Sequence, residues 1–245
     1  MRGFLKSHSF KPFVAVAVGL IILRELWDGS FQQLKVALKR ISLKPFRGLL
    51  MAFITLTLFT LLLDPFLITF LQGMNSPLAQ TIANYGQKLG RNINPWIGLT
   101  GIYFLACLTK RRIWRKGAFG LILSSLATSV VSHLMKFIFL RARPDSHLGP
   151  FSFFNLQGLI HDERAFQSFP SGDVAVVAGA TSCLFFMIPN RYLRWLVFLL
   201  PLSTAFARVS LNRHWPSDTV ASLMVSLLLG KFIAESLQKQ EAFSS

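Results

Sequence analysis

The chain has 245 residues, of which 52% are hydrophobic and only 10 are acidic, and it contains 24 phenylalanines. This composition is too apolar and too poor in charge for an ordinary soluble domain, so a soluble enzyme or soluble binding protein is excluded. The net charge of +16 would suggest nucleic acid as a partner of a soluble protein, but the 26 basic residues lie between apolar segments. The composition therefore predicts an all-α integral membrane protein with no nucleic-acid partner.

Residues 1–45 form a basic leader that we expect to lie along the cytoplasmic membrane surface as an interfacial segment. Its apolar run 12–23 is shorter than the roughly 20 residues that a spanning helix needs. Arg24 and Glu25 follow without a small-residue cleavage site, so we expect the leader to be retained. The next stretch, 31–43, mixes apolar and basic residues, as interfacial helices do. A solvated basic leader with no docking role is an equally open interpretation.

We predict that residues 46–240 form one domain, a bundle of six transmembrane helices. Several apolar runs are slightly short, but a terminal Lys or Arg can extend a span by carrying its charge to the interface. We expect a break at Asp64 and Pro65 in the first span, and a polar outer connection over 72–94. The runs place the six spans at about 46–71, 92–109, 117–136, 173–189, 195–208 and 217–237.

The basic residues follow the alternation of these spans. Residues 1–47 hold nine of them, 110–116 hold five, and 191–194 and the C-terminal segment hold two each, whereas the opposite connections hold eight. Because Lys and Arg accumulate in cytoplasmic loops, both termini are predicted to be cytoplasmic. We therefore expect a multi-pass protein of the cell inner membrane whose eight-residue basic set faces the periplasm.

Three polar clusters interrupt the apolar chain, and the predicted topology sends all three to the outer face. The first contains Lys136, Arg143 and Pro144, where the third span ends. Lys136 and Arg143 are seven residues apart and so share one helical face, and two cations on one face suit a phosphate. Alone, an interfacial pair of basic residues would explain this cluster, and the flanking Arg141 could lie at the interface or bind a second phosphate.

The second cluster runs from Phe169 to Asp173, directly before the fourth span. A helix N-terminus presents unpaired N–H groups, so the Ser171 hydroxyl and the Gly172 amide could bind an anion. Alone, the same residues are typical of a turn followed by a helix cap.

The third cluster contains Arg208, His214 and Asp218, and joins the fifth and sixth spans. His214 and Asp218 are four residues apart, a spacing that lets a carboxylate hold one imidazole nitrogen. The pair is typical of a nucleophile with its orienting carboxylate, and Arg208 adds a ligand for an anion. A buried structural pair would have the same spacing.

Together the clusters resemble the type 2 phosphatidic acid phosphatase superfamily, whose pattern is Lys-x6-Arg-Pro, then Pro-Ser-Gly-His, then Ser-Arg-x5-His-x3-Asp. The resemblance implies a lipid phosphatase that needs no metal or other cofactor. It implies that His214 attacks phosphorus to form a phosphohistidine and that Asp218 orients it. It also implies that the phosphoryl oxygens are held by Lys136, Arg143, Ser171, Gly172 and Arg208.

Two residues depart from the family pattern. Ala207 replaces a Ser, and Asp173 replaces the His that protonates the leaving group. An aspartate is normally ionised at neutral pH, so Asp173 is a catalytic acid only in an environment that favours its protonated form; otherwise the leaving group must depart unaided, as from a diphosphate. Some lipid A phosphatases of the superfamily also carry Asp here.

The expected partners are the bilayer and a membrane lipid phosphate, and the sequence indicates no oligomeric state. Lipid A, undecaprenyl diphosphate, phosphatidylglycerophosphate and phosphatidate are all candidate substrates. A phosphotransferase could use the same histidine with a lipid as acceptor. A non-enzymatic transporter or scaffold is the remaining alternative, and only Asp173 favours it.

Overall fold

The computed structural model describes residues 10–27, 47–74, 76–91, 93–156 and 163–242. Within these ranges the structure is helical and contains no strand, which confirms the predicted all-α class. The α-helices of the described residues are α1 (Phe10–Trp27), α2 (Arg47–Gly73), α3 (Pro77–Gly90), α4 (Asn94–Leu108), α5 (Arg112–Phe139), α6 (Gly172–Met187), α7 (Arg191–Ser210) and α8 (Pro216–Ala242).

The helices differ in whether they could cross a bilayer. Among the described residues α2, α5, α7 and α8 are long and apolar enough to do so, whereas α4 and α6 are apolar helices of 15 and 16 residues. All six predicted spans therefore coincide with apolar helices, and four of them are candidate spans by length and composition.

One expectation about the first half of the chain was wrong. The expected break at Asp64 and Pro65 is absent, because α2 runs through both residues and buries Asp64 completely. The expected outer connection contains the helix α3, whose N-cap Ser76 accepts a hydrogen bond from the Ala79 N–H at 3.2 Å. Pro77 follows at the first helical position, where a proline needs no N–H donor.

Helix α6 lies at the centre of the bundle and packs against α5, α7 and α8. Its buried residues are small, and Gly179 meets α5 so closely that a Cβ there would lie 2.7 Å from Ser125 Cα. The Ser125 hydroxyl donates to the Val176 carbonyl at 2.8 Å across the same interface. Close packing of small residues and interhelical hydrogen bonds are what hold helices together in a bilayer.

The packing fixes the direction of the helices. Lys136 Nζ lies 3.5 Å from the Cβ position of Gly172, and Gly120 lies against Cys183, so α5 and α6 are antiparallel. Ser222 donates to the Ser171 carbonyl at 2.8 Å and Gly230 packs on Ser182, so α6 and α8 are parallel. The ends of α5 and α7 and the starts of α6 and α8 consequently meet at one end of the bundle, called the polar end below.

Helix α1 packs at the opposite end of the bundle. Its Glu25 is fully buried, accepts a hydrogen bond from the Tyr103 hydroxyl at 2.6 Å, and lies 3.1 Å from Arg115 Nε. Ile21 joins the same core as Leu99. Part of the basic leader is thus a helix docked on α4 and α5; its position at a membrane surface stays a prediction, and the stretch 31–43 lies outside the described residues.

Candidate active site

The chain after α5 folds back on itself and places the first two polar clusters side by side. Leu140 ends the helix with a left-handed conformation (φ 40°), and its N–H donates to the Lys136 carbonyl at 3.0 Å. The extended segment that follows bonds to the returning loop, with Arg143 N–H to the Ala165 carbonyl at 2.8 Å and Ser168 N–H to the Arg141 carbonyl at 3.0 Å. These backbone hydrogen bonds bring Ser168 to the polar end.

Buried hydrogen-bond donors without partners surround the start of α6. Ser171 occupies the N-cap but makes no capping bond, and its hydroxyl has no hydrogen-bond partner among the described residues. The same holds for the buried Nε atoms of Arg143 and Arg208. Lys136 is 9% exposed, and the lack of a side chain at Gly172 lets its ammonium approach the backbone. Unpartnered buried donors beside a helix N-terminus form a site suited to an anion.

Asp173 brings a negative charge into this group. Its carboxylate lies 3.1 Å from Arg208 Nε, although the contact lacks the direction of a hydrogen bond. The Asp173 side chain is 34% exposed and the Arg208 side chain 11%. The residue at the family's usual histidine position therefore contacts one of the expected phosphate ligands.

His214 is buried with its Nδ1 atom 2.9 Å from the Ser168 carbonyl oxygen. Because a carbonyl oxygen can only accept, Nδ1 must carry the proton, and in the neutral ring Nε2 then carries the free lone pair. Asp218 Oδ2 lies farther away, 3.5 Å from Nδ1. The sequence assigned the orienting role to Asp218 alone, whereas the structure gives the shorter contact to Ser168.

The surroundings of His214 keep its imidazole uncharged. Burial lowers the pKa of His214 below its ordinary value of 6.5, and the nearby charges of Lys136 and Arg143 lower it further. The hydrogen bond and negative charge of Asp218 oppose these effects without cancelling them. At neutral pH the ring is therefore a neutral base with one free nitrogen.

Asp218 is held by a buried ionic network that the sequence did not reveal. Arg141 is fully buried and pairs with both Asp218 and Asp64, the latter at 2.6 Å. It also donates to Ser217 Oγ at 2.7 Å and to the Pro150 carbonyl at 2.9 and 2.7 Å. The expectation that Arg141 lies at the interface or binds a second phosphate was wrong, because all three nitrogens of its guanidinium already bond these partners.

Asp64 connects the network to α2. It accepts hydrogen bonds from the Ser217 N–H at 2.8 Å and the Ser217 hydroxyl at 2.5 Å, and so caps the start of α8 from another helix. Asp218 accepts in addition from Ser168 Oγ at 2.5 Å and Trp215 N–H at 2.9 Å. Asp64 and Arg141 could have been singled out in the sequence because each is an ionisable residue next to an apolar run. Nothing in the sequence pointed to Ser168.

The family model of the PAP2 superfamily matches residues 117–242, about half of the chain and the part that contains all three polar clusters. The chain belongs to the PAP2 superfamily. Its fold resembles the crystal structure of Aquifex aeolicus LpxE with a TM-score of 0.52 and 19% identity, over 69% of this chain and 92% of that chain. A search of curated proteins finds no match.

In this PAP2 protein, breaking the buried network should cost far more than breaking an exposed pair. We expect Asp64→Ala to lower the free energy of unfolding by about 3–5 kcal/mol, because Arg141 and Ser217 lose a buried partner. The matched control is Asp145→Ala, whose partner Arg213 lies at 3.4 Å with 57% of its side chain exposed, and which should cost less than about 1 kcal/mol. Reversible unfolding in detergent micelles measures both, and equal losses would contradict the network's role.

The charge state of His214 gives a second prediction. Its imidazole should titrate below pH 6.5 in NMR spectra of protein with labelled histidine, with the signal assigned by its loss in His214→Ala. Lys136→Met should move the midpoint upward, because it removes a nearby positive charge that disfavours the imidazolium. A midpoint above 6.5, or a downward movement in Lys136→Met, would contradict the described electrostatics.

Proposed function

We propose that this PAP2 protein is an integral membrane lipid phosphatase that hydrolyses a phosphomonoester or diphosphate of a membrane lipid through a phosphohistidine at His214. Family membership supports a phosphatase. The observation that carries the proposal is a buried imidazole whose Nδ1 faces the Ser168 carbonyl, at the end of the bundle where Ser171 Oγ and the Nε atoms of Arg143 and Arg208 have no hydrogen-bond partner among the described residues. A phosphoryl group would supply the missing acceptors.

Binding of the phosphoryl group requires little beyond positive charge and correctly oriented hydrogen-bond donors. Lys136, Arg143 and Arg208 neutralise the phosphoryl oxygens, and Ser171 Oγ and the Gly172 N–H donate to them from the start of α6. These interactions matter most when charge accumulates on the oxygens in the transition state. No metal ion is needed for any of these contacts.

The reaction then proceeds in two displacements. The lone pair of His214 Nε2 forms a bond to phosphorus while the bond from phosphorus to the lipid oxygen breaks. The ring becomes positively charged, and the Ser168 carbonyl and Asp218 stabilise that charge through the Nδ1 proton. A water molecule next attacks phosphorus, the P–N bond breaks, and phosphate leaves with neutral histidine restored.

Asp173 protonates the leaving oxygen in this scheme and regains a proton from the water that attacks phosphorus in the second displacement. Its contact with Arg208 places it beside the phosphoryl ligands, on the side of the site formed by α6 and α7. A phosphate that engages Arg208 adds negative charge next to the carboxylate and so favours its protonated form. A lipid alcohol needs such an acid as it leaves, whereas the lipid monophosphate that leaves when a diphosphate is attacked does not.

The proposal includes the orientation of the chain. Six spans over residues 46–240, with the leader of residues 1–45 on the cytoplasmic side, put both termini in the cytoplasm and the polar end in the periplasm. The distribution of basic residues supports this orientation. The substrate then enters from the outer leaflet, and lipid A, undecaprenyl diphosphate and phospholipid phosphates are the classes to test.

Loss of the nucleophile gives the direct test of this function. Purified protein should release inorganic phosphate from at least one of these lipids in the presence of a chelator, and His214→Ala should reduce the rate by about a thousandfold or more. The matched control is His133→Ala, an exposed histidine on α5 that bonds only the Ser129 carbonyl within its own helix. Release that needs an acceptor lipid would indicate a phosphotransferase, and no turnover of any lipid would favour the transporter or scaffold.

The role of Asp173 depends on the leaving group. We expect Asp173→Asn to lower turnover of an alkyl phosphate lipid by about a hundredfold or more, the usual contribution of a general acid. Turnover of p-nitrophenyl phosphate should fall much less, because nitrophenolate leaves without a proton. Steady-state rates of wild type and variant with both substrates measure this difference. An equal fall with both substrates would rule out acid catalysis by Asp173.

A further inference from the structure

An apolar cavity of about 290 Å³ lies between α4, α6 and α7, on the flank of the bundle. Its walls include Leu99, Ile102, Val177, Ala180, Leu184 and Leu200. Ile102 and Leu200 are 47% and 43% exposed, so the cavity borders the apolar outer surface of the bundle. A hydrocarbon chain from the surrounding bilayer could enter it without crossing protein.

The few polar residues of the cavity lie at one end or are already satisfied. The Thr181 hydroxyl donates to the Val177 carbonyl at 2.9 Å within its own helix, which leaves a methyl group for the cavity. Lys88 and Asn94 stand where α3 ends and α4 begins, and the Asn94 amide donates to the Lys88 carbonyl at 2.6 Å. Lys88 and Asn94 therefore lie at the end of the cavity nearest the start of α4, and the surface of the cavity is almost wholly apolar.

The end of the cavity nearest Lys88 and Asn94 adjoins the candidate active site. Asp173, Val177, Ala180 and Leu184 follow one another at spacings of four, three and four residues, so they share one face of α6. Gly90, next to the cavity residue Leu89, comes so close to α6 that a Cβ there would lie 3.3 Å from Asp173 Cβ. At 1.5 Å per helical residue, the cavity begins about 5 Å along α6 from Asp173, at Val176, and continues for about 12 Å to Leu184.

We propose that this cavity binds a hydrocarbon chain of the lipid whose phosphate occupies the site at His214. The inference rests on the proposed function and adds how the substrate is recognised. Its basis is the continuity along α6, where one helical face carries a charged residue that pairs with Arg208 and then a series of small apolar side chains. An amphiphile with its phosphate at the polar end necessarily extends toward the bilayer, and burial of each methylene in the cavity favours binding.

Two glycines of α4 provide a matched pair of variants. Gly98 lines the cavity and Gly101 does not, and a Cβ at either position would meet nothing within 4 Å. Gly98→Leu therefore fills the cavity without a backbone clash, and Gly101→Leu adds the same side chain to the same helix elsewhere.

The first arm of the experiment compares kcat/KM for dioleoyl and dihexanoyl phosphatidate. The ratio of the long-chain to the short-chain value should fall about tenfold in Gly98→Leu, mainly through KM, because the long chain loses more buried methylenes. The ratio should stay as in the wild type in Gly101→Leu. An unchanged ratio in Gly98→Leu, or an equal fall in both variants, would overturn the proposal.

The second arm does not depend on turnover. A phosphatidate with a diazirine in one acyl chain should label peptides of Asn94–Leu108 and Gly172–Met187 on irradiation, and Gly98→Leu but not Gly101→Leu should remove the label. Wild-type protein that hydrolyses neither phosphatidate yet shows this labelling would argue against this lipid class as the hydrolysed substrate while supporting the cavity. Labelling confined to exposed helices such as α2, or equal in both variants, would overturn the cavity even if phosphate is released.

Discussion

The buried guanidinium of Arg141 is the constraint on which the polar end depends. Removing a charge from water is costly, and the cost is offset only when its partners are charged and its hydrogen bonds complete. Arg141 meets this condition with two carboxylates, a serine hydroxyl and a backbone carbonyl, and the rings of Phe153 and Trp215 lie 4.8 and 5.5 Å from its guanidinium carbon. Loss of one partner would leave a buried charge uncompensated, so the network favours the arrangement in which all of its elements meet.

The network links three parts of the chain that are far apart in sequence. Asp64 lies in the middle of α2, Arg141 in the segment after α5, and Asp218 in the first turn of α8. Fixing Asp218 also fixes Ser168 and Trp215, which donate to its Oδ2 atom. His214 lies between these residues, so its ring orientation and its tautomer follow from contacts that begin on α2.

The arginines near His214 differ in whether protein groups already accept their hydrogen bonds. All three guanidinium nitrogens of Arg141 bond protein groups, whereas the Nε atoms of Arg143 and Arg208 have no hydrogen-bond partner in the part of the chain that the structure describes. Arg141 helps to hold the histidine in place, and Arg143 and Arg208 contribute donors to an anion site at the same end of the bundle. The apolar cavity along α6 extends this arrangement into the bilayer-facing part of the molecule.

The sequence predicted the helices and the motif residues better than the network behind them. Apolar runs locate helices well because burial in a bilayer needs them, and residues spaced four or seven apart on a helix indicate a common face. The polar stretch that became α3 lacked such a run, so its amphipathic packing on α7 was missed. Asp64 stood out as a charge in an apolar run, but its partner is set by packing between distant helices, and Ser168 acts partly through its backbone carbonyl, which leaves no signature in sequence.

The proposed mechanism requires His214 to carry the phosphoryl group during turnover. The most direct measurement is to mix the protein with a lipid labelled in its phosphate, quench in alkali, digest with trypsin and locate the label by mass spectrometry. We expect an acid-labile, alkali-stable phosphoryl group on the peptide 214–231, in which His214 is the only histidine. Active protein that yields no phosphopeptide at the earliest quench times, or a label on another residue, would contradict it.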